Sequence, residues 1–419
     1  MQLTTNTQPP SLRIPFIDGV IVEIQSGYEH LLTDMWEPLT SARSAFNAKQ
    51  NPILLSDYID NVIDRRIRES ACAPKQKIQL KSRSDKIKEL LTGTSESRKA
   101  SSLSLNDTYI LTNQLHSRLE RSRAESNQGE TLNIYYRLFN YIAKEAFKDG
   151  LIPLELKISC NDNNKTTATL PFNERHLTNI FSGWMYRDYN IHSHKINHNA
   201  DSWKFWLIPL GLFSGARLNE LCQLRNEDIT SDDNGITMIH INNFGFNKAV
   251  KTDDSIRYIP VHQKLIDMGF IQFHKERIKA SGPRGLLFPE LKHNTMSRYS
   301  RTPSRFFSGK SKGQGYIGLV DDDLKQAGWS YRSLRRTFAD CLKKNGVPLT
   351  SIATLLGHMQ VEAKTTSDHY IGEPHSCVLQ RTLGNGLKFN IDLSNVHWNN
   401  FKPLYEGHFN RKTRGRIPS

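Results

Sequence analysis

Between residues 53 and 152 apolar side chains return every third or fourth position, and that spacing predicts four helices. In "ILLSDYIDNVIDRRIRE" the apolar stripe is Leu55, Ile59, Val62 and Ile63. "KSRSDKIKELL", "LSLNDTYILTNQLHSRLERS" and "GETLNIYYRLFNYIAKEAFKDGLI" follow, the last closed by Gly150. Four helices with short links make a small all-helical domain, placed at 51–158. Residues 1–50 form an extension without a clear assignment. Within it "IPFIDGVIVEI" has the β-branched content of a strand, and the stretch before Pro52 has room for a short helix. The polar run "SCNDNNKTT" has no periodicity and reads as a linker, 159–169.

Beyond the linker, helical spacing restarts in "PFNERHLTNIFSGWMYRDY". "DSWKFWLIPLGLF" and "SGARLNELCQLRNEDI" read as two helices broken at Ser214 and Gly215. "DDNGITMIHI" is a turn and a strand, and "AVKTDDSIRYIPVH" reads as two short strands joined through Asp253, Asp254 and Ser255. "HQKLIDMGFIQFHKERI", "SYRSLRRTFADCLKKNG" and "PLTSIATLLGHM" are helical again. The second domain, 170–382, is therefore mainly helical with a small antiparallel sheet. Residues 383–419 remain as a C-terminal tail.

Charge narrows the choice of partner. The chain of 419 residues carries 56 Lys and Arg against 42 Asp and Glu, a formal net charge of +14, which fits a polyanion. Between positions 61 and 100 the balance is eleven basic to five acidic residues, which gives the helical domain a basic face. No run approaches the roughly 18 apolar residues of a membrane span, and the N-terminus lacks the basic-then-apolar order of a secretory signal. The five cysteines have no metal-ligand spacing and read as reduced structural residues of a cytosolic protein.

Candidate chemistry lies at five places in the second domain. Arg217 opens a helix just after Ser214 and Gly215, with Glu220 one turn on. Lys251 begins the predicted hairpin whose other arm carries Arg257. Arg332 and Arg335 stand about one turn apart on one helix, where two like charges repel unless an anion sits between them. His358 follows "TLLG" at a helix end, and Tyr370 stands in the polar run "KTTSDHYIGE". Each has an ordinary reading when taken alone, as a surface charge, a cap or a packing residue.

Their order is what resembles a known family. "GARLNEL", "KTDDSIR", "RSLRRTF", "LLGH" and "TTSDHY" resemble the signature blocks of the tyrosine recombinases, or phage-type integrases. The resemblance extends to residues 54–152 as a core-binding domain and hardly touches residues before 50. It implies the tyrosine recombinase catalytic fold and a site-specific DNA recombinase that cuts and rejoins strands through a 3′-phosphotyrosine. In that reading Tyr370 is the nucleophile, Arg217 and Arg335 clamp the nonbridging phosphate oxygens, Lys251 protonates the leaving 5′ oxygen and His358 donates a hydrogen bond. No cofactor and no metal are implied, since the covalent bond stores the energy of the cut. The implied partners are double-stranded DNA with specific sites, a homotetramer on two of them with each tail docked on a neighbouring subunit, and an accessory DNA-bending protein. The implied location is the bacterial cytoplasm, at the nucleoid, for a chain encoded by a phage or other mobile element.

The chain departs from the pattern in two ways, one being the interval of twelve residues from His358 to Tyr370, slightly longer than is usual in the family. Arg332 stands where the family usually has histidine, and a guanidinium does not act as a base at neutral pH. General-base help is typically worth about 10²–10⁴ in rate, so a weakened enzyme, or a DNA-binding protein with a dead site, is the first alternative. A type IB topoisomerase, with the same phosphotyrosine chemistry and no paired sites, is the second. All three readings need phosphate contacts by Lys and Arg. Affinity for duplex DNA should therefore fall steeply between about 50 and 200 mM salt in an anisotropy titration, and a salt-insensitive constant would remove DNA as the polyanion.

Overall fold

A computed structural model describes residues 11–15, 21–25, 53–70, 74–93, 97–121, 128–152, 154–160, 169–187, 200–296, 298–309, 314–325, 329–358 and 375–414. The chain divides into two units, Met1–Thr167 and Ala168–Ser419. In the first, β1 (Ser11–Pro15) pairs antiparallel with β2 (Ile21–Gln25), Ser11 opposite Gln25. The helix expected before Pro52 lies outside the described residues.

The four predicted helices are α1 (Leu55–Glu69), α2 (Pro74–Thr92), α3 (Leu105–Arg121) and α4 (Gln128–Lys148). Leu55, Ile59, Val62 and Ile63 are all buried, facing Ile87, Leu90, Leu111, Phe139 and Ile142 from the other three helices. The link from α2 to α3 is pinned by Asp107, whose buried carboxylate accepts from Arg98 at 2.6 Å and from the Ser104 amide at 2.7 Å. Many of the basic residues of this unit are already paired on the surface, among them Lys81 with Asp64 at 3.0 Å and Lys88 with Asp60 at 2.6 Å. Such surface pairs contribute little to stability.

The second unit is organised around one helix. After α5 (Glu174–Ser182) comes α6 (Ser202–Ser214), every residue of which is buried. A helix that is apolar on all sides has no solvent face and must be covered all round. Trp203 meets Phe306 and Phe307, Phe205 meets Tyr186, and Trp206 meets Phe270 and Phe273. The sheet has the order β3-β4-β5, antiparallel throughout, with β3 at Ile229–Ser231, β4 at Thr237–Ile241 and β5 at Arg257–Pro260. A mainly helical unit with a small antiparallel sheet is what the patterning predicts.

Three local readings change. The helix expected across "SGARLNELCQLRNEDI" is only α7 (Leu218–Cys222). After it the chain turns away because Asp228 accepts from the Arg225 amide at 2.6 Å, while the amides of Asn226 and Glu227 bond the carbonyls of Gly285 and Pro283. The expected hairpin around Lys251 has only its second arm, β5. Residues 250–252 join no ladder, and Asp253–Ser255 is a 3-10 turn. The helix after His262 breaks at Gly269 into α8 (Gln263–Asp267) and α9 (Phe270–Ser281). Two further short helices follow, α10 (Arg301–Ser308) and α11 (Tyr316–Val320), then α12 (Arg332–Lys344) and α13 (Leu349–Leu356).

The largest difference concerns the tail. The segment after α14 (Ser376–Gly386) runs into α15 (Trp398–Arg414), and its residues up to Tyr405 pack on their own unit. Trp398 is fully buried against Phe205, Trp206 and Phe273. Its amide donates to the Met268 carbonyl at 2.8 Å and its indole N–H to Glu276 at 3.2 Å. The apolar content expected to face a neighbouring subunit is used to cover α6. Cys160, Cys222, Cys341 and Cys377 are free thiols. Among the described residues no helix is long and apolar enough to cross a membrane.

Removing this cover should be costly. Trp398→Ala should destabilise the second unit by about 3–5 kcal/mol, read as a lowered midpoint in denaturant. A chain ending at Thr382 should lose that unit's cooperative transition.

Candidate active site

The site begins where α6 ends. Gly215 closes that helix in the left-handed region (φ 63°), and a Cβ there would lie 2.5 Å from the Phe338 ring. Only glycine fits both demands. The turn frees the Gly215 carbonyl, which accepts from Arg335 Nη1 at 2.8 Å, and it delivers Arg217 to the start of α7. Arg217 would oppose the dipole of α7 by itself. Glu220 corrects this: one carboxylate oxygen accepts from the Arg217 amide at 2.9 Å, the other from Arg217 Nη1 at 2.6 Å.

Glu220 is buried and holds a second arginine. Arg257 Nη2 donates to it at 3.0 Å, while Arg257 Nη1 reaches the Ser255 carbonyl and Nε the Leu355 carbonyl, each at 2.7 Å. Burial pushes the Glu220 carboxyl up, but the Arg257 charge and the Arg217 bonds outweigh it and hold the group below the usual carboxylate range. Arg257 thus ties α7, the turn after Lys251 and the end of α13 into one piece. Gly357 is forced by the same packing, with φ 62° and a would-be Cβ 2.9 Å from Arg257 Nη1.

Arg335 stands half-buried on α12. Besides Gly215 it donates from Nη2 to the Leu356 carbonyl at 2.7 Å and bonds His358 Nε2 at 2.9 Å. Burial, then the charges of Arg217 and Arg257, push its guanidinium down to about 9, still protonated at neutral pH. Arginine has no acceptor, so His358 Nε2 accepts and the imidazole is neutral with its proton on Nδ1. Partial burial and then the surrounding cations hold the His358 pKa below its ordinary value, in agreement with a neutral ring.

Four of the predicted site residues therefore come together: Arg217 is bonded to Glu220, Arg335 to His358, and the charges of Arg217 and Lys251 act on His358. Arg332 is exposed at the first turn of α12, and its charge depresses Arg335. Tyr370 lies outside the described residues. Arg257 is the residue that reading the sequence missed. The signal was available, because in "RYIPV" Arg257 is in phase with the core residues Ile259 and Val261.

Among the described residues no group of His, Cys, Asp or Glu is arranged to hold a metal. The sequence profile of the phage integrase family matches residues 190–373, a span that includes the whole arginine network. Residues 190–373 are thus similar to the phage integrase family. Solved structures agree in fold. A lambda integrase dimer bound to a COC′ core site shares 14% identity over 85% of this chain and 91% of the other, at a TM-score of 0.51. The Tn1549 transposon integrase in complex with a circular intermediate DNA shares 16% over 78% and 98%, at 0.50. Comparison with curated proteins gives no match.

The buried carboxylate has a testable pH signature. Because the folded Glu220 pKa lies below its unfolded value near 4.5, its stabilisation is complete above that value and is lost as pH falls through the folded one. Denaturant unfolding should show a steeper acid loss for the natural chain than for Glu220→Gln. Glu220→Ala, which strands Arg257, should cost about 3–5 kcal/mol at pH 7.

Proposed function

We propose that the chain is a DNA strand-cleaving and rejoining recombinase of the phage integrase type, which attacks the scissile phosphodiester with Tyr370 and holds the phosphate between Arg217 and Arg335. The observation that carries this is a charge imbalance. Three arginines, Arg217, Arg257 and Arg335, share one buried carboxylate, Glu220, with Arg332 and Lys251 within electrostatic reach. Each added cation makes the next harder to keep charged, and one phosphate anion would offset the excess. The bonds to Arg217 run through Nη1 and those to Arg335 through its two Nη atoms, so each guanidinium keeps donors for phosphate oxygens.

The chemical step then balances. The Tyr370 oxygen bonds to phosphorus as the bond to the 5′ oxygen breaks, the phenol proton passes to water, and Lys251 supplies a proton to the departing 5′ oxygen. His358 donates its Nδ1–H to a nonbridging oxygen. Attack by the free 5′-hydroxyl of a second strand reverses the step and releases Tyr370. Arg332 cannot take the phenol proton and would instead stabilise the developing phenolate or the phosphate by its charge. This position alone supports the second reading, a DNA-binding protein with a weakened site. Exchange of four strands asks for four active sites, which supports a homotetramer on two DNA sites acting where chromosomal DNA is accessible. Residues up to Tyr405 of the tail are committed to their own unit, so any exchanged segment lies elsewhere.

A nicked suicide substrate, from which the 5′ fragment diffuses away, should trap a 3′-linked adduct at Tyr370. Tyr370→Phe should abolish the adduct with little change in affinity. Arg217→Ala and Arg335→Ala should lower the single-turnover rate by 10²-fold or more, at about the scale of losing one charge-stabilising donor. Arg332→His should preserve or raise the rate and Arg332→Ala lower it; an adduct at another residue would overturn the assignment.

A further inference from the structure

The segment joining β4 to the Lys251 turn carries two large apolar side chains into solvent. Phe244 is 63% exposed and Phe246 81% exposed. An isolated exposed apolar residue means little, but two within three positions at the tip of one loop are unusual when the rest of the unit buries its aromatics so thoroughly. The loop is also firmly built. Lys248 Nζ bonds both oxygens of Asp228 at 2.7 and 2.8 Å and the Asn242 side-chain oxygen at 2.5 Å. The Phe244 amide bonds that same oxygen at 3.0 Å, and Arg225 Nη2 holds the Phe246 carbonyl at 3.2 Å. Gly245 and Asn247 both take positive φ, at 99° and 65°, so the chain folds sharply between and after the two rings. A buried Lys–Asp–Asn network under a strained tip is an expensive base for a loop that does nothing.

The loop's position names its ligand. The Ala249 amide bonds Gln223 Oε1 at 3.0 Å, and Gln223 closes the five-residue helix that Arg217 opens. At 1.5 Å per residue that helix spans under about 10 Å, the length of about three stacked base pairs. The aromatic surface also continues onto the sheet: His240 meets Phe244 edge-on at 5.9 Å and stacks on Tyr258 at 4.1 Å. A ridge of aromatic rings beside a phosphate-binding cluster, held in place before any ligand arrives, has the chemistry of a base-stacking surface.

We propose that Phe244 and Phe246 form an aromatic wedge that stacks on nucleobases of the DNA beside the phosphate held by Arg217 and Arg335. The wedge rests on the reading of that cluster as a phosphate site. It adds a contact to the bases, which the arginines do not make. Stacking of this kind tolerates any sequence, because every base has a π-face. Rings entering a base step also open it, which would expose the neighbouring phosphate to attack.

The test uses the full chain and a mixed-sequence DNA duplex carrying 5-iododeoxyuridine at scattered thymine positions. Photocrosslinks should fall on residues 242–248. The double variant Phe244→Ala with Phe246→Ala should bind the duplex about fivefold or more weakly, while the slope of log affinity against log salt stays unchanged, because stacking releases no counterions. Phe244→Tyr with Phe246→Tyr should restore the affinity. Binding by the alanine variant within twofold of the natural chain, crosslinks confined to other residues, or a changed salt slope would each overturn the wedge. So would a shift in oligomeric state without a loss of DNA affinity, which would make the loop a contact between copies. The adduct assay at Tyr370 is independent: its failure with the wedge results intact would leave a DNA-binding protein with an inert site.

Discussion

One carboxylate holds the centre together. Glu220 is buried between Arg217 and Arg257, and through Arg257 it reaches the carbonyls of Ser255 and Leu355 on two other segments. Each of these groups would be costly to bury alone; together they leave few unsatisfied donors and a net positive charge. The arrangement separates two tasks. Arg257 is buried with its hydrogen bonds spent on structure, whereas Arg217 and Arg335, bonded only through Nη atoms, each keep N–H donors at a more open position.

That network needs a rigid support, and α6 supplies it. A helix buried on every side transmits little motion, and its last turn places Gly215 so that its carbonyl fixes Arg335 while the following residues carry Arg217. The cost of such a helix is that it needs cover all round. The Trp398 segment provides part of that cover, and so the chain downstream of the expected nucleophile is bound into the unit that carries the other site residues. A peripheral tail could leave for a neighbouring subunit cheaply; a segment that seals the central helix could not.

Much of this was legible in the sequence, for identifiable reasons. Helices with a one-sided stripe, such as the one bearing Leu55, Ile59 and Val62, announce themselves by period. The blocks around Arg217, Arg335 and His358 were recognisable by their order. What periodicity does not carry is a backbone bond made to a distant loop. The stop after Cys222 depends on the carbonyls of Pro283 and Gly285, some sixty residues away. Arg257 escaped because a charged residue on an inward strand position reads as exposed until its partner is known. The tail was misjudged for a related reason: Trp398 and Phe401 are equally good for a neighbour or for self, and only the all-round apolar face of α6 decides between them.

The depth of burial of the cations orders them by what each can do. Arg257 is 5% exposed and locked by three partners, so it can set geometry but not meet a ligand. Arg335 and Arg217 are half-buried, close enough to solvent to meet a ligand and deep enough for their charge to be weakly screened. Lys251 and Arg332 are exposed, on a turn and at a helix start. Transition-state charge is best met by groups that do not move, whereas a proton donor must approach a leaving oxygen and withdraw. The same gradient explains why position 332 can tolerate arginine. At the exposed rim a fixed charge displaces no bond of the buried network, so arginine at this position costs the fold nothing.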